Sequence, residues 1–320
     1  MKLAFMVEKL NDEKIFLHGN SEHEINKISS PENADNKSLC VIWDKKALET
    51  LNIDIPIAAP KEFFEDNRDG IICENPRALL PKLLEIFETH SAKLTGINKN
   101  AFIHETAKIS DKAYIGAFSF VGENCEVGEG TIIEPNVTLL KNVKIGKNCL
   151  IHSGAVIGCD GFGFVRENGK IVKIPQNGGV KIFDDVEVGA CTTIDRGAMN
   201  DTTIGEGTKI DNHVQVGHNV KIGKYCIICS MTGIAGSSII EDYVTISVQA
   251  GVTDHVTIGK NTIIAGRTGV TNDIPENSVV SGFPARPHNQ AKRALILAAD
   301  LPEIVKRIRK LEKKLEDLQK

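Results

Sequence analysis

The stretch "VQVGHNVKIG", Val214–Gly223, places two aliphatic residues, Val216 and Ile222, six positions apart, each followed by glycine. Counting outward by six finds an aliphatic side chain at every step from Ile103 to Ile157. It continues at Ile182, Val188 and Ile194, and again at every step from Ile204 to Val270, twenty-five registered positions in all. A period of six is neither the 3.6 of a helix nor the simple alternation of a half-buried strand. It suits short flat strands joined by turns, three strands and eighteen residues to a coil, in a parallel β-helix. Two residues before most registered positions stands a compact side chain, such as Ala113, Ser119, Cys125, Thr131, Cys226 or Ser238, as a narrow interior demands. At a strand spacing of ~4.8 Å the repeat predicts about eight coils in a prism roughly 40 Å long.

Composition agrees. Hydrophobic residues make up 41% of the 320 but aromatics only 5%, so the core has to be built from Ile and Val. The formal charge of −4 supplies no basic field, which argues against nucleic acid as a partner. No apolar run is long enough to span a bilayer, and "MKLAFMVEKLNDEK" turns charged before a signal-like core develops. The expectation is a soluble, cytoplasmic protein with at most peripheral membrane contact. Among eight cysteines, the "CIIC" of Cys226 and Cys229 has a redox or metal spacing. The repeat already accounts for Cys226, and reduced structural thiols are expected.

Residues 1–98 lack the hexad. Strand-like "SLCVIW" and "GIICE" followed by helical "PRALLPKLLEIFETH" predict a small α/β domain, closed by the linker-like "GINKNAF". Residues 99–286 form the β-helix, and 287–320 a helical extension. There Leu301, Ile304, Ile308, Leu311, Leu315 and Leu318 recur at alternating spacings of three and four, a coiled-coil seam. Three parallel prisms would bring three such helices together, so a homotrimer is expected.

Two interruptions break the rhythm: Cys159–Gly179, and four extra residues before Ile204. Phe162 and Phe164 in the first are either a mobile binding flap or cover for the base of their own loop. Histidines 213, 218 and 255 lie close in the coil count, and thirty-seven residues from His218 to His255 is two coils plus one. A zinc site using His213 and His218 would need a third histidine two coils earlier, where Asn177 stands. A general base for acyl transfer needs one neutral imidazole and an amide donor for the oxyanion. Gly236 lies one coil after His218 and offers that amide.

"CDGFGF", "KIPQNGGVKI", "VEVGACTTIDRGAMNDTTIG", "KIDNHVQVGHNVKIG" and "GIAGSSII" together resemble the UDP-3-O-acylglucosamine N-acyltransferases of lipid A synthesis. The resemblance implies a left-handed coil and acyl transfer from acyl carrier protein, with the chain carried on phosphopantetheine and no metal or other cofactor. It implies His218 as general base, Gly236 as oxyanion donor and His255 as a second histidine near the substrate. Asp211 either orients His218 or bonds its own turn. Gln215 and Asn219, flanking His218, are candidate substrate contacts beside Phe162 and Phe164. The family holds uracil in its first domain through aromatic side chains; here Trp43, beside Asp44, either stacks the base or packs in the core, with core favoured. An acceptor whose first chain is amide-linked stays open. From Gln290 onward nine Lys or Arg face five Asp or Glu, and Lys292, Arg293, Lys306 and Arg307 could meet an acidic carrier. A zinc hydratase or a non-catalytic nucleotide-sugar scaffold are the competing readings.

Overall fold

The computed structural model describes residues 1–49, 51, 54–64, 68–87, 94–282 and 287–318. They fall into two compact units, Met1–Lys93 and Leu94–Lys320.

In the first unit five strands form one sheet in the order Phe16–His18, Gly70–Ile72, Ile57–Ala59, Ser38–Val41 and Lys27–Ser29; the first pair is antiparallel and the rest parallel. All four residues of Ser38–Val41 are buried, which explains the unbroken apolar reading of that stretch: a central parallel strand is covered on both faces. Leu3, Met6, Leu39, Ile71 and Leu83 fill one cluster, and Cys40, Ile42, Ile57 and Ala59 another. The expectation that Trp43 packs in the core is not met. The strand has ended at Val41, Ile42 takes the last buried place, and the indole is 44% exposed with the Arg77 guanidinium 5.0 Å from its ring centre.

The second unit is the parallel β-helix. Its three faces are sheets of nine, eight and ten strands, most of them two residues long. Each strand pairs with the one a coil away, as Gln215–Val216 does with Gly233–Ile234. The column begins at Gly96–Ile97, inside the linker-like segment, and ends at Val279–Val280. Registered residues such as Val121, Ile151, Ile194, Val216 and Ile228 are fully buried. The compact residues two places earlier do more than fit. Thr131 Oγ1 donates to the Gly146 carbonyl at 2.7 Å and Ser238 Oγ to that of Thr253 at 2.7 Å, satisfying carbonyls at the turns of a dry core. Cys226 takes the same place, its Sγ 3.0 Å from the Glu241 carbonyl. Burial pushes that thiol up to about 11, so it is packing rather than a nucleophile.

One corner decides the rest. Asn219, Ser237 and His255 occupy it in successive coils with φ of 60°, 63° and 57°, the left-handed turn that asparagine adopts most readily among residues with a Cβ. Both interruptions leave the column at this corner, the first after Val156–Asp160 and the second after Thr193–Arg196. The next face is therefore undisturbed: Ile145, Ile182 and Ile204 stay in register across both. The long loop carries an antiparallel hairpin, Phe164–Glu167 with Lys170–Lys173. Its turn is Asn168–Gly169, both at positive φ, a two-residue signal legible in "ENGK" that sequence reading passed over.

Helix His288–Leu318 runs unbroken through Pro302 and buries none of its residues in the single chain; Leu301 is 52% and Leu315 59% exposed. Among the described residues no helix is long and apolar enough to cross a membrane.

Candidate active site

At that corner a cavity of about 730 Å³ opens, lined by residues of successive coils and the loop above them. Asp160, Gly161, Phe162, Phe164 and Lys173 come from the long loop and its root, Asp195 from Thr193–Arg196, the strand paired with Val156–Asp160. Gln215, Gly217 and His218 lie in the next coil, then Ala235 and Gly236, then Asp254 and His255. Six expected residues thus converge: His218, Gly236, His255, Gln215, Phe162 and Phe164.

The His218 backbone is pinned by its carbonyl, which accepts the Ser237 N–H at 2.8 Å. Its side chain is packed against two glycines. A Cβ placed on Gly236 would fall 2.7 Å from both Cε1 and Nε2, and one on Gly161 would fall 2.7 Å from Cγ and Cδ2 and closer still to the His218 Cβ. Only glycine at both positions lets the imidazole lie there. Nε2 therefore sits over Gly236, while Nδ1 is 3.1 Å from Asn219 Oδ1.

Gly236 keeps its N–H outside the backbone ladder. The amides on either side donate, Ala235 to Val252 at 2.9 Å and Ser237 to His218, while the Gly236 carbonyl accepts from His255 at 3.2 Å. A Cβ on Gly217 would lie 2.8 Å from the Gly236 nitrogen, so glycine at 217 leaves that amide uncovered. An open N–H beside an imidazole nitrogen is the arrangement that stabilises an oxyanion while a proton is removed.

Asp195 was missed in sequence. Its carboxyl accepts from Gln215 Nε2 at 3.0 Å, and Thr193 Oγ1 donates to the other end of the same amide. Burial holds the Asp195 carboxyl above its usual range, against the opposing pull of the Gln215 hydrogen bond and of His218. Asp160 pairs with Lys173 and lies 3.8 Å from the buried Arg196, whose Nε donates to the Gly158 carbonyl at 2.7 Å and so anchors the loop's root. Phe162 is 87% exposed and meets Phe164 edge-on at 5.0 Å, so it does not cover the base of its own loop: it lines the cavity.

Other expectations part from the structure. Asp211 does not reach the cavity; its two oxygens accept the N–H groups of Asn212 at 2.7 Å and Ser230 at 3.0 Å, so it is the turn residue and not the partner of His218. His213 turns a different corner, its N–H on the Ala190 carbonyl at 3.0 Å, because five residues along the chain is nearly one full side of the prism. The His213–His218 pair therefore does not converge, and among the described residues no three His, Cys, Asp or Glu gather as a metal site. Asn219 lies behind His218 rather than on the cavity wall. Trp43 and Asp44 border a separate cavity of about 450 Å³ within the first unit, with Val41, Ala47 and Leu80; Asp44 Oδ1 also accepts the Ala47 N–H at 2.9 Å, capping helix Lys45–Glu49. Lys292, Arg293, Lys306 and Arg307 are exposed on the terminal helix, Lys306 paired with Glu303 at 2.7 Å.

Comparison with known proteins agrees with this architecture. The family model described as bacterial transferase hexapeptide (six repeats) matches residues 201–236, and that of the GMPPB C-terminal domain matches 97–162. UDP-3-O-acylglucosamine N-acyltransferase of Methylorubrum populi is 52% identical over 154 residues, 48% of this chain and 44% of the relative. A probable mitochondrial UDP-3-O-acylglucosamine N-acyltransferase of Arabidopsis thaliana is 49% identical over 151 residues, 47% of this chain and 50% of the relative. The chain thus spans about half the length of the curated relatives it matches. Among solved structures, the UDP-N-acetylglucosamine acyltransferase of Francisella novicida superposes with a TM-score of 0.54 at 31% identity, over 62% of this chain and 73% of that one. From the repeat, the column and the 31% identity across nearly three quarters of that structure, the chain belongs to the hexapeptide-repeat acyltransferases.

Proposed function

We propose that this protein is a UDP-3-O-acylglucosamine N-acyltransferase, moving an acyl chain from acyl carrier protein to the 2-amino group of the sugar in lipid A synthesis. One observation carries the reading: the Nε2 side of His218 lies over Gly236, whose N–H is free of the ladder and uncovered by Gly217. The sugar nitrogen attacks the thioester carbonyl carbon while His218 Nε2 takes its proton. The Gly236 N–H holds the negative charge that develops on the carbonyl oxygen. Collapse breaks the carbon–sulfur bond, and the phosphopantetheine thiolate leaves with the proton returned from the imidazolium. A C–N bond forms and a C–S bond breaks, and no redox partner, metal or further cofactor enters. The names of the curated relatives support the acceptor.

The test is a direct one. Incubated with UDP-3-O-acylglucosamine and a mixed pool of acyl carrier protein thioesters, the protein should yield a product heavier by one acyl group. Mass spectrometry then reads chain length, hydroxylation and linkage together. Hydrolysis of the thioester without amide formation would overturn the reading.

The remaining parts follow the same reading. The half-exposed indole of Trp43 offers a stacking face for uracil, with Asp44 beside it on the first unit's cavity. The basic residues Lys292, Arg293, Lys306 and Arg307 suit an acidic carrier protein. Eight cysteines that are all free fit a reducing compartment, and we place the enzyme in the cytoplasm. The apolar stripe of the terminal helix, unburied in one chain, is covered by two further copies in a homotrimer. Sedimentation equilibrium should give three times the mass of the chain. A monomer at micromolar concentration would remove the trimer.

A further inference from the structure

We propose that Asn219 is a positioning residue that decides which nitrogen of His218 is bare, and that the four-residue insertion Gly197–Asn200 holds it in place. The proposal rests on the reading of His218 as base. A neutral imidazole can act as base only through the nitrogen that lacks a proton, and that nitrogen is chosen by whatever the other one meets. Here Nδ1 meets the Asn219 side chain at 3.1 Å.

An asparagine amide can be turned either way, with oxygen and nitrogen exchanged, but two backbone groups of the insertion admit one orientation only. The Ala198 N–H, necessarily a donor, points at the oxygen end at 3.0 Å. The Asn200 carbonyl, necessarily an acceptor, faces the nitrogen end at 3.4 Å. The oxygen is thereby turned to His218 as well, so Nδ1 has to carry the proton and donate it. Nε2, on the Gly236 side, is left bare.

The insertion is shaped for this seat. A Cβ on Gly197 would fall 2.7 Å from Asn219 Nδ2, so glycine is what admits the amide. The Asn219 N–H donates to Thr202 Oγ1 at 2.9 Å, just past the insertion. The insertion is stitched in turn to the end of the long loop, with the Gly178 N–H on the Gly197 carbonyl at 3.0 Å and the Asn177 N–H on that of Ala198 at 2.8 Å. Both breaks in the hexad thus converge on one imidazole: the long loop supplies Gly161 against its face, and the short one orients its partner.

Histidine-selective 15N labelling of the full-length protein, with His218 assigned by loss of its signals in His218→Gln, reads the tautomer without any turnover. The expected spectrum has a protonated Nδ1 and a bare Nε2. Glycine suits the φ of 60° at position 219, so Asn219→Gly removes the amide without backbone strain. That variant should show mixed tautomers and kcat lowered about 10–100-fold, as for other orienting partners, with KM for both substrates within about threefold. A parent ring with its proton on Nε2, or Asn219→Gly with unchanged kcat, overturns the proposal. A parent that holds the Nδ1–H form yet acylates no amine would instead overturn the base reading and leave the tautomer assignment standing.

Discussion

His218→Ala should lower kcat by at least about a hundredfold, a loss of roughly 2.7 kcal/mol of transition-state stabilisation. The fold should survive, because what His218 contributes to the column is its carbonyl, bonded to the Ser237 N–H, and alanine keeps it. The registered residues on either side, Val216 and Ile222, hold the strands irrespective of the ring. KM for the sugar should change little, since the lost interaction is made only as the amine sheds its proton. Steady-state kinetics with a thermal melt of the same preparation checks both halves. Activity within a few-fold of the parent would remove His218 as base.

Gly236→Ala should cost about 10²–10³-fold in kcat, the range for losing an oxyanion donor, and for two reasons that geometry joins. The added methyl would lie 2.7 Å from Cε1 and Nε2 of His218, nearer than a real Cβ contact allows. Gly161 crowds the same side chain at Cγ and Cδ2. Either the imidazole leaves its place over the amide or the coils separate there. Gly236 is not in the left-handed region, so alanine brings no backbone strain of its own. A melting temperature near the parent's with kcat collapsed is the expected pair of readings. Unchanged kcat would show that the reaction does not pass between this ring and this N–H.

The column and half of the site were legible because a stacked coil turns sequence distance into spatial distance. His218 and Gly236 are eighteen residues apart and His255 nineteen further, so arithmetic alone places them on one corner. The same arithmetic would have found Asp195. It stands twenty-two residues before Gly217, one coil plus the four inserted residues, and subtracting the insertion restores the register. Asp211, nearer to His218 in sequence, belongs to another corner and bonds its own turn. Trp43 misled because an unbroken apolar run does not show where its strand ends, and the second residue past the end turns outward.

Wherever each residue repeats the environment of one eighteen places away, a local rule of alternation and turn suffices, and the chain alone determined the β-helix, its buried aliphatics and the stacking of His218 and Gly236. The two insertions obey no repeat. What they touch depends on how they fold back over the corner, so only the tertiary structure decided that Gly161 packs against His218, that Asn219 meets Nδ1 of His218 instead of lining the cavity, and that both breaks in the rhythm meet at the same imidazole.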